Sequence, residues 1–375
     1  MKLTEMTHII HSKKKSTRLL ALCVACAGGA LVSLRTPSPT LPLKKVSPIP
    51  IGVAIGYYPM KYNKVYDSIV TTDFSQVTFE YALKNRAIVK ADGTADYSHA
   101  DELVKICQAK GLPVYGHTLC WYQGDSPYLS KLKGDSTAIE NFLRNYITTT
   151  VSRYKNTIEA WDVVNEAIDS LGRLRITGPI RDDYFYWGKY LKSGYVARAF
   201  RYAHRANPRA LLFYNDYNLE IYPRKLAGVL QLVKSLQREG VPIDGIGTQM
   251  HISIRTPDKG IDEAFRALAS TGLQIRISEL DIKVNPSNKP DFIMTPALEK
   301  AQALKCRHVI ASFFKYVPAS QRYGITFWNL GTKDSWLTAG EHRKGSPTLF
   351  DSLYRPKAMY HATAGILHTE KASDL

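Results

Sequence analysis

The chain has 375 residues, 45% of them apolar, and so can bury a large core. Its formal charge is +17; residues 1–36 carry six Lys/Arg and one acid, which leaves 44 basic against 32 acidic residues, or +12. The basic residues are scattered, with no basic helix and no basic stripe interleaved with aromatics. That argues against a nucleic-acid partner and for a solvated basic face, which an acid-decorated polysaccharide could exploit.

Lys13, Lys14, Lys15 and Arg18 precede the apolar run Leu19 to Leu34, roughly the length of a signal h-region and short for a bilayer span. Residues 1–35 are therefore expected to be an export segment, placing the protein outside the cell, in the periplasm or at the envelope. Ala25 and Ala27 fit a cleavage site, while Cys26 after Ala25 also allows a lipid anchor; an uncleaved anchor is the third option. Membrane association is expected only through that segment. Thr36 to Pro50 has five prolines and no apolar periodicity, which reads as a linker over 36–50. One catalytic unit over 51–368 and a polar tail over 369–375 complete the organisation.

Short apolar runs then alternate with longer amphipathic ones. Strands are predicted at Ile51–Ile55, Gln76–Phe79, Pro113–His117, Ile158–Val164, Leu211–Asn215, Gly245–Gln249, Gln274–Ser278 and Tyr323–Phe327. The clearest helices run from Tyr97 to Lys110, stopped by Gly111, and from Lys225 to Glu239, stopped by Gly240. Eight strands alternating with helices imply an α/β fold, a single closed (β/α)8 TIM barrel. Cys107 and Cys306 sit in helical core stripes, and no CxxC pair follows the export segment, so buried thiols are expected alongside Cys120. A disulfide, a metal site or a cofactor is not.

Polar residues fall where these strands end. Glu80 follows the second strand, His117 ends the third, and Asn165 and Glu166 follow the fourth. Asn215 and Asp216 close the fifth, Gln249 and His251 the sixth, Glu279 the seventh and Trp328 the eighth. A barrel gathers the carboxyl ends of its strands at one mouth, so these residues should converge on one cleft.

Two segments carry a resemblance to a known family. Trp161-Asp162-Val163-Val164-Asn165-Glu166-Ala167 resembles the acid/base segment of glycoside hydrolase family 10, the β-1,4-xylanase family. Ile277-Ser278-Glu279-Leu280-Asp281 is similar to that family's nucleophile segment. Gly116-His117-Thr118-Leu119-Cys120-Trp121, Asn215-Asp216-Tyr217-Asn218, Gln249-Met250-His251, and Trp328 through Ser335-Trp336 match in the family's order, over about residues 51–365.

The resemblance implies a retaining endo-β-1,4-xylanase with Glu166 as acid/base and Glu279 as nucleophile. Retaining pairs stand about 5–5.5 Å apart, and an ionised Glu279 should hold Glu166 protonated toward about pH 6. It further implies that Asn165 holds a sugar 2-hydroxyl, that His251 backed by Asp281 directs Glu279, and that Gln249 orients a carboxylate. Glu80, Lys84 and His117 are implied as sugar-hydroxyl contacts, and Trp121, Trp328 and Trp336 as sugar platforms. The expected partner is xylan or xylo-oligosaccharide, bound by a monomer. The pattern departs at Tyr81, which replaces an asparagine in the Thr78–Asn85 segment. Tyr122, Asn329 and Gly331-Thr332 also differ. These positions concern substrate detail, and two other readings stay open: the same chemistry on another β-1,4-glycan, and a noncatalytic surface glycan receptor.

Overall fold

The structure is a computed structural model that describes residues 41–373, except 133, 177–185 and 339–343. The expected export segment, Cys26 and residues 36–40 of the expected linker lie outside the described residues. Nine strands form one sheet: β1 Ile51–Ile55, β2 Gln76–Phe79, β3 Val114–Trp121, β4 Ile158–Asn165, β5 Leu211–Asp216, β6 Gly245–Thr248, β7 His251–Ser253, β8 Gln274–Lys283 and β9 Arg322–Phe327. All pairings are parallel. β1 bonds to both β2 and β9, and β6 bonds to β8, so eight strands close on themselves as a barrel with helices between them. The strands are near-continuously buried, all five residues of β1 and eight of ten in β8, because barrel interior and helices cover both faces.

The predicted helices appear as Ser98–Ala109 and Pro223–Arg238, each followed by a left-handed glycine, Gly111 and Gly240. Cys107, Cys120 and Cys306 are free and buried. Several boundaries differ from the sequence reading. Leu43 and Val46 are buried in a short helix, Leu43–Val46, so residues 41–50 belong to the folded unit rather than to a linker. The expected polar tail continues the last helix, Ala358–Ser373, as far as Ser373. The sixth strand stops at Thr248 and resumes at His251 after Met250, whose φ of 57° turns the chain. Finally, β3 and β8 run four and five residues further than expected, to Trp121 and Lys283, so Glu279 lies within a strand rather than after one.

Aromatic rings plug the barrel floor. Tyr115, Phe213 and Tyr323 meet edge to face with centroids 4.8–5.8 Å apart. Arg276 lies 3.5 Å above the Tyr115 ring and donates to Thr78 and Thr326 hydroxyls, 2.8 Å each. Asp162 then accepts from the Tyr115 hydroxyl and meets His117 Nδ1, both at 2.8 Å, which passes the buried polar column up to the mouth. Gly245 leaves room for this plug, because a Cβ there would stand 2.0 Å from the Phe213 ring. We expect Gly245→Ala to destabilise the fold by about 1–3 kcal/mol through overpacking, read as a lowered Tm in calorimetry. An unchanged Tm would show that the ring layer can shift.

Candidate active site

Backbone hydrogen bonds stagger the ends of the strands around the mouth. Glu80 N donates to Ile55 O at 3.0 Å, Glu166 N to Asn215 O at 2.8 Å, and Gln249 N to Asp216 O at 2.9 Å. Glu279 N donates to Gln249 O at 3.1 Å and Trp328 N to Leu280 O at 3.0 Å. Each side chain is thus fixed to the strand beside it. They enclose a cleft of about 460 Å³. Eleven sequence-predicted residues line it: Glu80, Lys84, His117, Trp121, Asn165, Glu166, Gln249, His251, Glu279, Trp328 and Trp336. Asp281, the twelfth, stands behind His251.

Glu279 is surrounded by donors and cations. Asn215 Nδ2 donates to its Oε1 at 2.7 Å, and His251 Nε2 lies 3.3 Å from its Oε2. His251 Nδ1 is 2.9 Å from Asp281 Oδ2, which also accepts the Trp336 indole N–H at 3.0 Å. Burial opposes charge on His251, but Asp281 and Glu279 raise it to about 10. Burial would likewise raise Glu279, yet His117, His251 and Lys84 bring it down to about 2. Glu279 is therefore a carboxylate at neutral pH.

Among the described residues no cation pairs directly with the Glu166 carboxyl, although Lys84 and Arg175 stand near it. Its backbone takes the left-handed φ of 60°, rare for a glutamate, which turns the side chain out of β4 into the cleft. Gln249 Nε2 donates to Oε1 at 2.9 Å and Asn165 Nδ2 at 3.2 Å. Burial raises Glu166 above its ordinary value, with Asp216 and then Glu279 adding to the rise. The sequence reading credited the Glu279 charge; desolvation is the larger cause. Two carboxyls in one cleft are thus driven in opposite directions.

The remaining residues frame them. Lys84 Nζ sits 4.5 Å from the Trp121 ring centre; burial lowers its ammonium, while Glu279, Glu80 and Glu166 pull it upward. Trp328 is buried and meets His117 and His251 edge on, so it braces both imidazoles. Trp336 is 39% exposed and offers an open ring face. Sequence reasoning brought Asn215 to the mouth but missed its role: its amide also donates to Asn165 Oδ1 at 2.9 Å and so links the two carboxyl environments. The quoted Asn215–Asn218 segment held that signal. It also missed Lys283, Tyr217 and Asn218 in the lining.

The departures acquire a physical account. Asn329 has a φ of 67°, a conformation open to glycine and tolerated by asparagine, and its side chain supports Glu80 and accepts from Trp336 N. Tyr122 is buried in the lining beneath Arg175. Tyr81 is 54% exposed and is not among the lining residues, so it does not fill the cleft.

A (β/α)8 barrel whose mouth holds two carboxyls of opposite tendency defines a glycoside hydrolase. The chain belongs to glycosyl hydrolase family 10, which it matches over residues 42–366. It is 34% identical over 321 residues to endo-1,4-beta-xylanase A of Caldicellulosiruptor, an alignment covering 82% of this chain and 44% of that protein. Endo-1,4-beta-xylanase B of Paenibacillus barcinonensis is 32% identical, with 88% and 99% covered. A mutant of Xylanase10C from Cellvibrio japonicus, solved in complex with xylopentaose, superposes with a TM-score of 0.81 at 29% identity, covering 87% of this chain and 69% of that one. Several curated relatives are much longer than this chain, which spans 44%, 56% and 28% of the first three.

The His251–Asp281 pair yields a prediction. Asp281→Asn removes the anion that keeps His251 charged, so Glu279 should bind its proton at higher pH. The acid limb of the kcat/KM profile should move upward, with roughly a tenfold loss at the optimum, as for one charge-assisted hydrogen bond. A pH–rate series would show it, and a drop without a moved limb would mean Asp281 acts only structurally.

Proposed function

We propose that this chain is a retaining endo-β-1,4-xylanase that hydrolyses internal xylosidic bonds by double displacement. The observation that carries the reading is the divergence of the two carboxyls, Glu279 down to about 2 and Glu166 upward, within one cleft. The named relatives are xylanases, and one of them was solved with xylopentaose.

The chemistry follows from those charge states. Glu166 gives its proton to the glycosidic oxygen while a Glu279 oxygen bonds to the anomeric carbon. The C–O bond breaks, and the leaving sugar departs as a neutral alcohol. Glu279 is now an ester, and its negative charge is gone. Glu166, left as a carboxylate, takes a proton from water, whose oxygen attacks the anomeric carbon and returns Glu279 as a carboxylate. Two inversions give retention. Asn165 is placed to hold the 2-hydroxyl of the reacting sugar, where hydrogen bonds tighten in the transition state. Gln249 and Asn165 restrain the acid, while Asn215 and His251 restrain the nucleophile. Glu80, Lys84 and His117 face the sugar hydroxyls, and Trp121, Trp328 and Trp336 supply aromatic faces.

The exposed Tyr81 favours a second reading, the same machinery on another β-1,4-glycan, because the position where the family pattern has an asparagine lies outside the cleft. Reducing-sugar release from xylan and from soluble cellulose in parallel decides between them; release from cellulose alone would reject the xylan assignment. Binding of xylo-oligosaccharides without cleavage would make the protein a glycan receptor instead.

Four outcomes are expected of the main reading. Activity requires Glu279 ionised and Glu166 protonated, so kcat/KM should rise from about pH 2 and fall as Glu166 loses its proton, above the ordinary glutamate range. Glu166→Gln should abolish that falling limb and slow xylan cleavage roughly 10²–10⁴-fold. NMR of the first-formed product should show the β-anomer, an α-anomer being incompatible with Glu279 as nucleophile. Glu279→Ala should stop turnover while leaving oligosaccharide binding measurable.

A further inference from the structure

The connection leaving β1 carries an aromatic ridge outside the cleft. Its short helix, Tyr57–Tyr62, begins two residues after Ile55, whose carbonyl holds the amide of Glu80 at the mouth. Tyr58 and Tyr62 are 65% and 67% exposed. They lie one helical turn apart with centroids at 6.3 Å and ring planes 21° from parallel, so both present faces in nearly one direction.

This ridge is built from beneath. Tyr57 stacks on His99 at 4.1 Å and donates its hydroxyl to Glu102. Lys61 pairs with Glu102 at 2.7 Å, donates to the Tyr57 hydroxyl at 2.9 Å, and places its ammonium 5.1 Å from the Tyr62 ring centre. Isolated exposed aromatics are ordinary on a protein surface. Two near-parallel rings, one meeting Tyr57 edge on and the other under the Lys61 ammonium, are not isolated. Rigidity of this kind lowers the entropy lost on binding, which is the property of a recognition surface.

We propose that Tyr58 and Tyr62 form a second sugar-binding platform for the same β-1,4-linked polysaccharide, at the barrel lip on the Glu80 side of the cleft. The inference rests on the xylanase reading. A pyranose chain offers flat C–H faces to successive rings while its rim hydroxyls stay hydrated, and the tyrosine hydroxyls add polar contacts. The lip position fits a polymer longer than the cleft, because a chain held at the ridge keeps its neighbouring segments near Glu166 and Glu279 at high effective concentration.

The test uses the full chain and the double variant Tyr58→Ser/Tyr62→Ser, each also carrying Glu279→Ala to prevent digestion during binding. Retention on insoluble xylan is measured with the cleft saturated by a short xylo-oligosaccharide. The ridge should hold the parent protein under saturation, and the double variant should lose about tenfold in retention, the scale of two stacking contacts. In the background with Glu279 intact, cleavage of the short oligosaccharide should be unaffected by the tyrosine changes, and solubilisation of insoluble xylan should fall. Equal retention of parent and variant, or an altered oligomeric state in place of altered retention, would overturn the platform while leaving the xylanase reading in force. A wild type that neither cleaves nor retains xylan would sink both.

Discussion

The contact of His251 with Glu279, backed by Asp281, is the interaction on which the cleft depends. Two carboxyls share one desolvated site, and burial by itself raises both. Only the uneven supply of cations separates them. With His251 charged at neutral pH and Lys84 and His117 close by, Glu279 keeps its negative charge, while Glu166, held by amides, holds its proton to higher pH than an ordinary glutamate. One carboxyl can then attack and the other can donate.

That asymmetry is imposed by the barrel. Glu279, Asp281 and Lys283 alternate along β8, and the break at Met250 lets His251 pair in register with Asp281. Below them, Arg276, Asp162 and Tyr115 fill the interior with a buried polar column that fixes His117. Asp162 ties this column to His117, so the packing of the barrel interior sets where that imidazole stands at the mouth. The amide of Asn215 performs a similar task at the rim, reaching both Glu279 and Asn165.

The strand and helix alternation was readable because buried parallel strands are nearly unbroken apolar runs and the surrounding helices carry one-sided stripes. Boundaries fared worse. Leu43 and Val46 look like linker residues until the last helix is seen to cover them, and the stop after Thr248 depends on a left-handed turn at Met250 that no local pattern announces. Asn329 was visible as an oddity, but its reason lies in a φ of 67°.

The sequence by itself determined the class of fold and the strand ends where polar residues accumulate, because both are written in periodicity, while its resemblance to a family singled out the two glutamates. Only the tertiary structure decided how far each glutamate is dried, which cations face it and that Tyr81 stands outside the cleft. Those are sums over neighbours hundreds of residues apart, such as Thr78 and Arg276, which meet only when the barrel closes.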